Sequence, residues 1–89
     1  MAWALTNGLT SRAIATKKAV NVGNVANDPD YLTALATTRS ELIIPILDAT
    51  GHHVLGTIDV ESEQANAFGS AIQAHLEECA SVLRAFWSA

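Results

Sequence analysis

The sequence is short of the residues on which several kinds of protein depend. It has a single cysteine in 89 residues, which excludes an internal disulfide and any site built from paired thiols, and fits a reducing compartment such as the cytoplasm. It has only five Lys and Arg against nine Asp and Glu, a net charge of −4, which argues against nucleic acid as a partner. No window approaches the ~18 consecutive apolar residues of a membrane-spanning helix. No charged start followed by an apolar run marks a secretory signal. A Gly-rich phosphate loop, a Ser/His/Asp arrangement, internal repeats and low-complexity segments are likewise missing.

What the chain does have is apolar residues, 49% of the total, with only 16% charged. A chain of this length makes one domain with a marginal core, and such a composition favours hiding apolar surface against a partner. The charge is uneven. Residues 1–27 hold Arg12, Lys17 and Lys18 and no acid, whereas the remainder sets nine acids against Arg39 and Arg84. The acid-free start reads as a basic first helix rather than a transit peptide.

Periodicity then divides the chain. Gly8–Thr16 reads as a short helix with Leu9, Ala13 and Ile14 on one side. Ala19–Val22 is a brief strand, and Gly23–Pro29 is a loop of turn-forming residues. Asp28 or Asp30 can cap a short helix carrying Tyr31, Leu32 and Leu35. Ser40–Asp48 and His53–Glu63 are β-rich and joined by Ala49–His52, which predicts an antiparallel hairpin. Pro45, without an N–H, belongs at a bulge or where no ladder bond is made. Alternation puts Leu42, Ile44, Ile46, Val54, Gly56, Ile58 and Val60 on one face, and Glu41, Ile43, Leu47, Leu55, Thr57, Asp59 and Glu61 on the other. From Phe68 to Trp87 the period becomes helical, with Phe68, Ile72, Leu76, Cys79, Leu83 and Phe86 on an apolar stripe and Ser70, Gln73, Glu77 and Arg84 facing water. Val82, Ala85 and Trp87 widen that stripe. The expected class is α+β, an antiparallel sheet with a long terminal helix on one face.

This order of elements, and the words within it, resembles the latter portion of a GAF domain. Leu9–Val22 (LTSRAIATKKAVNV) is similar to the family's helix and following strand. Ser40–Leu47 (SELIIPIL) and Val54–Ser62 (VLGTIDVES), the latter with Gly51 before it, resemble its two hairpin strands. Phe68 and the helix after it are similar to the closing segment. The resemblance implies a small-molecule sensor or regulatory module without a resident cofactor. It also implies a frame shortened at its front, since the family's long first helix and two further strands have little counterpart before Gly8. In the family, one of those strands lies beside the strand matching Val54–Glu61. Without it, a row of N–H and C=O groups is left open, and each one buried unpaired costs roughly 1–3 kcal/mol. The covers available are the Trp3–Leu5 segment, a missing N-terminal half, or a second copy. The expectation is a homodimer in which the open edge and the Val82/Trp87 side of the terminal helix meet their symmetry mates.

The enzymatic branch of the family, the free methionine-R-sulfoxide reductases, is similar to this sequence around the Gly8 helix and both hairpin strands. That chemistry needs one thiolate to attack the sulfoxide and another to resolve it. The positions that carry those cysteines fall on Thr10 and Ala34 here, and Cys79 lies on the terminal helix. The resemblance therefore implies a non-enzyme, with a degenerate reductase as the remote alternative. The carboxylates of that branch correspond to Glu41, Asp59 and Glu61. Under the 9–16 helix and the 23–39 loop, these three would line a pocket and accept hydrogen bonds from an ammonium or amide group, with Thr57, Tyr31 and Arg39 as further contacts. The opposing reading makes them solvated strand residues paired with Arg12, Arg39 or lysines. An interaction module with a vestigial pocket is the second functional reading.

Other candidates are weaker. His52 and His53 are adjacent at a turn, so their side chains diverge. His75 and Cys79 stand one helical turn apart but lack a third ligand. The acidic pair of cyclic-nucleotide-binding GAF domains is absent after Phe68, and no cysteine is placed to tether a bilin.

Overall fold

The computed structural model describes residues 8–29 and 37–87. Helix α1 spans Leu9–Thr16. It stops at Lys17, whose backbone takes the left-handed values φ 58 and ψ 30 while its N–H donates to the Ala13 carbonyl at 2.9 Å. That turn sends the chain into strand β1 (Val20–Val22). A 3-10 turn at Val25–Asn27 follows, opened by the Asn24 side chain, which accepts from the Ala26 N–H. Strands β2 (Ser40–Leu47) and β3 (Val54–Ser62) form the expected hairpin. Helix α2 (Ser70–Leu83) and a 3-10 turn (Arg84–Phe86) close the described chain.

The three strands make an antiparallel sheet in the order β1-β2-β3, with β2 in the middle. Alternation along β2 feeds two separate cores. Ile43 packs with Leu9 and Ala13 of α1 and with Val20 and Val25. Leu42, Ile44 and Ile46 pack with Ala80 of α2, flanked by Ile58, Val60, Leu76 and Leu83. Each side chain buried as completely as Leu42, Ile43 and Ile44 contributes about 1.5–3 kcal/mol. The fold is thus α+β, an antiparallel sheet with a long helix on one face and a short one on the other.

Pro45 is accommodated because β1 pairs only with Glu41–Ile43. Past Ile43 no strand lies on that side of β2 among the described residues, so an absent N–H leaves no β1 ladder bond unmade.

Two expectations need correction. The pairing Ile46 with Gly56 is followed by Leu47 with Val54, so Leu55 is an extra residue in β3. This bulge exchanges the faces assigned beyond it. Leu55 packs against the α2 core, and Val54 joins Leu47 on the other side. In α2 the buried stripe is Leu76, Ala80 and Leu83. Ile72 is 46% and Phe86 75% exposed, whereas Gln73, expected to face water, is half-buried and receives a 2.9 Å hydrogen bond from Asn21 of β1. The helix is rotated so that its narrow side, centred on Ala80, approaches the sheet.

The hairpin turn is organised by Asp48, whose carboxylate accepts from the Thr50 hydroxyl at 2.7 Å and from the N–H groups of His52 and His53 at 3.2 and 3.4 Å. Gly51 supplies the positive φ of 75 that this turn requires. Among the described residues no strand pairs with the outer edge of β3, whose side chains are half-buried or exposed. The Trp87 indole lies over Gly56 and remains 51% exposed, near Val82 at 69%. The short helix expected to carry Tyr31, Leu32 and Leu35, and the Trp3–Leu5 segment, lie outside the described residues. No helix among those described is long and apolar enough to cross a membrane.

Candidate functional site

The β2–β3 register sets Glu41 directly opposite Glu61, Ile43 opposite Asp59, and Pro45 opposite Thr57. Three carboxylates therefore share the face of the sheet that α1 covers, with Thr57 farther along the same row. A like-charged pair placed directly across strands is unfavourable unless a proton or a cation joins it. No cation does so among the described residues. Arg12, the one cation on α1, instead makes a two-pronged bond to Asp28, Nη1 to Oδ1 at 3.1 Å and Nη2 to Oδ2 at 2.9 Å.

Neutral donors reach the acids instead. The Thr10 hydroxyl of α1 donates to Asp59 Oδ2 at 2.9 Å. The buried Thr38 hydroxyl donates to Glu61 Oε2 at 3.4 Å. Glu41 is only 8% exposed. Its burial, followed by the charge of Glu61, a hydrogen bond with Glu61 and the charge of Asp59, pushes its pKa up to about 7. At neutral pH this buried carboxyl is poised between an anion and a neutral O–H donor. The face can thus accept hydrogen bonds from a cationic or amide group, and it can move one proton at Glu41.

Of the six residues expected to bind a ligand, the structure brings together Glu41, Asp59 and Glu61, with Thr57 beside Pro45 on the same face. Arg39 is exposed and lines a separate hollow of about 690 Å³ with Asn24, Thr37, Thr38 and Glu63. Tyr31 lies outside the described residues. In the opposing reading Arg12, Arg39 or a lysine pairs with these acids; Arg12 bonds Asp28 instead. The sequence did not single out Thr38, because a lone hydroxyl in a loop has no periodic signature. Thr10 drew notice only as a position without a thiol.

Histidine and cysteine stand apart from this face. His53 Nδ1 lies 3.0 Å from Asp48 Oδ2 in the hairpin turn. Cys79 is on α2, which packs against the opposite side of the sheet. No group of three or more potential metal ligands is gathered among the described residues.

No protein-family model and no curated protein sequence matches the chain. Solved structures do match it. A type II free methionine-R-sulfoxide reductase from Thermoplasma acidophilum superposes with a TM-score of 0.85 at 30% identity, over 90% of this chain and 55% of its own. The free methionine-R-sulfoxide reductase of Neisseria meningitidis, solved with its substrate, gives 0.82 at 30% identity over 90% and 47%. A GAF domain gives 0.84 at 26% identity over 90% and 45%. The chain has a GAF-like fold. It spans about half the length of these structures.

Proposed function

We propose that this chain is a non-catalytic, small-molecule-binding module of the GAF sensor type, working as a homodimer in the reducing cytoplasm. The observation that carries this reading is the Glu41, Asp59 and Glu61 cluster, three carboxylates on one covered face with hydroxyl donors but no neutralising cation among the described residues. A ligand with an ammonium or amide group would supply the missing donors, with Thr57 as a flanking contact. The likeness to a reductase solved with its substrate supports a small-molecule site on this fold.

The non-catalytic part rests on the thiols. Thr10 stands where the reductase resemblance wants a cysteine, and Cys79 sits on the far side of the sheet from the acids. The homodimer rests on the outer edge of β3, with which no strand pairs among the described residues, together with the exposed Val82, Phe86 and Trp87.

Thermal-shift measurements across amino acids, nucleotides and 2-oxo acids test the ligand. A stabilising compound should lose its effect in the D59A/E61A variant, and the absence of any stabilising compound would count against binding. Incubation with free methionine sulfoxide and a thiol reductant should give no turnover. Light scattering after size exclusion should return a dimer mass, and a stable monomer at micromolar concentration would remove that part of the proposal. A second reading, an assembly module with a vestigial pocket, is favoured by the exposed apolar end of α2. It predicts that E41Q and D59N are harmless while W87S breaks the dimer.

A further inference from the structure

Cations are scarce in this chain, five against nine acids, yet three of them meet at one place. Lys17, Lys18 and Arg84 line a hollow of about 460 Å³ at the edge of the sheet, where Glu77 is the one acid. The hollow opens where β1 begins, beside the stretch of β2 past Ile43, and its apolar lining includes Ala19, Ile44 and Pro45. The left-handed turn at Lys17 sets two consecutive lysines at its rim.

A neutral donor also lines it. Asn21 Nδ2 donates to the Phe68 carbonyl and to Gln73 Oε1, both at 2.9 Å. With its oxygen engaged on the β1 side, Gln73 has its amide NH2 left for the hollow that it lines. Two lysines, an arginine and an amide donor over an apolar floor match an acidic head carried on a small apolar body. An added β-strand fits less well, because Pro45 offers it no N–H and β2 extends only from Ile44 to Leu47 past the start of β1.

We propose that this hollow binds a small organic anion, with a carboxylate or phosphate head held by Lys17, Lys18 and the Gln73 amide. The body of the ligand rests on Ala19, Ile44 and Pro45, and Arg84 closes the far wall. This site is distinct from the acid face and selects for the opposite charge.

Amide-resolved NMR of the full chain tests it, with inorganic phosphate, pyruvate and sodium chloride titrated at matched ionic strength. The expected result is saturable shifts at Lys17–Ala19, at Leu47 and at the Gln73 side-chain amide. They should weaken about tenfold or more in K17A/K18A, as the loss of two charge contacts implies. The Q73L variant keeps every charge and should also weaken binding, which a diffuse electrostatic attraction would not. Saturation by phosphate alone identifies a phosphate head, and by pyruvate alone a carboxylate. D59A/E61A should bind as the parent does, so failure of the acid-face proposal leaves this one standing. Shifts that do not saturate, that chloride reproduces, or that persist unchanged in K17A/K18A overturn the proposal. All of these substitutions are at exposed or half-buried side chains, and a far-ultraviolet spectrum checks that each variant is folded.

Discussion

Thr10 and Asp59, 49 positions apart in the chain, are joined by a 2.9 Å hydrogen bond that ties α1 to the edge strand β3. Thr10→Val keeps the shape and removes the donor. The bond is exposed, so unfolding in urea should show a loss of about 1 kcal/mol or less. Thr10→Ser should retain most of it. If the acid face binds a ligand, the valine variant should bind more weakly, because Asp59 loses the group that orients it. Equal stability and affinity in the two variants would mean that the bond holds nothing in place.

Glu41 sets a pH dependence whose sign is fixed. Its pKa is raised from 4.5 to about 7 in the folded protein, chiefly by burial. Between those values the native state holds more protons than the unfolded chain, so stability falls as pH rises through the window. The contribution is complete below about pH 4.5 and gone above about 7. Glu41→Gln, always neutral, should flatten this part of the curve and exceed the parent above pH 7 by up to about 3 kcal/mol. Urea midpoints between pH 4.5 and 8 check it. Parallel curves for parent and variant would show that Glu41 is not the titrating group.

Gly23 and Asn66 hold the β1 exit against the loop before α2. The Asn66 N–H donates to the Gly23 carbonyl at 2.9 Å, and a β-carbon on Gly23 would collide with the Asn66 side-chain oxygen. The oxygen it meets is the far end of an exposed, flexible side chain, so Gly23→Ala should cost about 0.5 kcal/mol or less as Asn66 swings aside. Asn66 has a positive φ of 55, a conformation that glycine adopts freely. Adding Asn66→Gly to the first change should recover part of the loss, a coupling that a double-mutant cycle measures.

Asp48 should govern the integrity of the hairpin turn. Its pKa is lowered from 3.8 to about 2, first by the Thr50 hydroxyl and further by the His53 and His52 backbone N–H groups and the His53 charge. The stability it provides is present above pH 3.8 and lost as pH falls toward 2. Asp48→Ala should speed amide hydrogen exchange at Gly51–His53 while leaving α1 unaffected. Uniform acceleration throughout the chain would instead point to global destabilisation.

The hairpin and α2 were legible because a β-branched run and a helical period leave few alternatives. Their exact facing was not. Leu55 changed sides because a one-residue bulge opposite Ile46 and Leu47 shifts the register, which alternation does not encode. Gln73 turned inward because Ala80, not a large residue, is the buried residue of α2, and because Asn21 offers it a partner 52 positions away. The acids were found by likeness to a family, and their pairing across β2–β3 followed from the hairpin. That no cation among the described residues joins them was not foreseen, since the bond of Arg12 to Asp28 depends on where a loop comes to rest.

The two apolar clusters share no side chain and meet through the backbone of the sheet, at Ile43 and Ile44 of β2 and at Ala19 and Val20 where β1 starts. A charge gained or lost at Glu41 thus reaches the α2 side of the sheet through the backbone, most directly by a tilt of the central strand β2. Neighbouring residues on it, Ile43 and Ile44, are levers on opposite arms of the same beam.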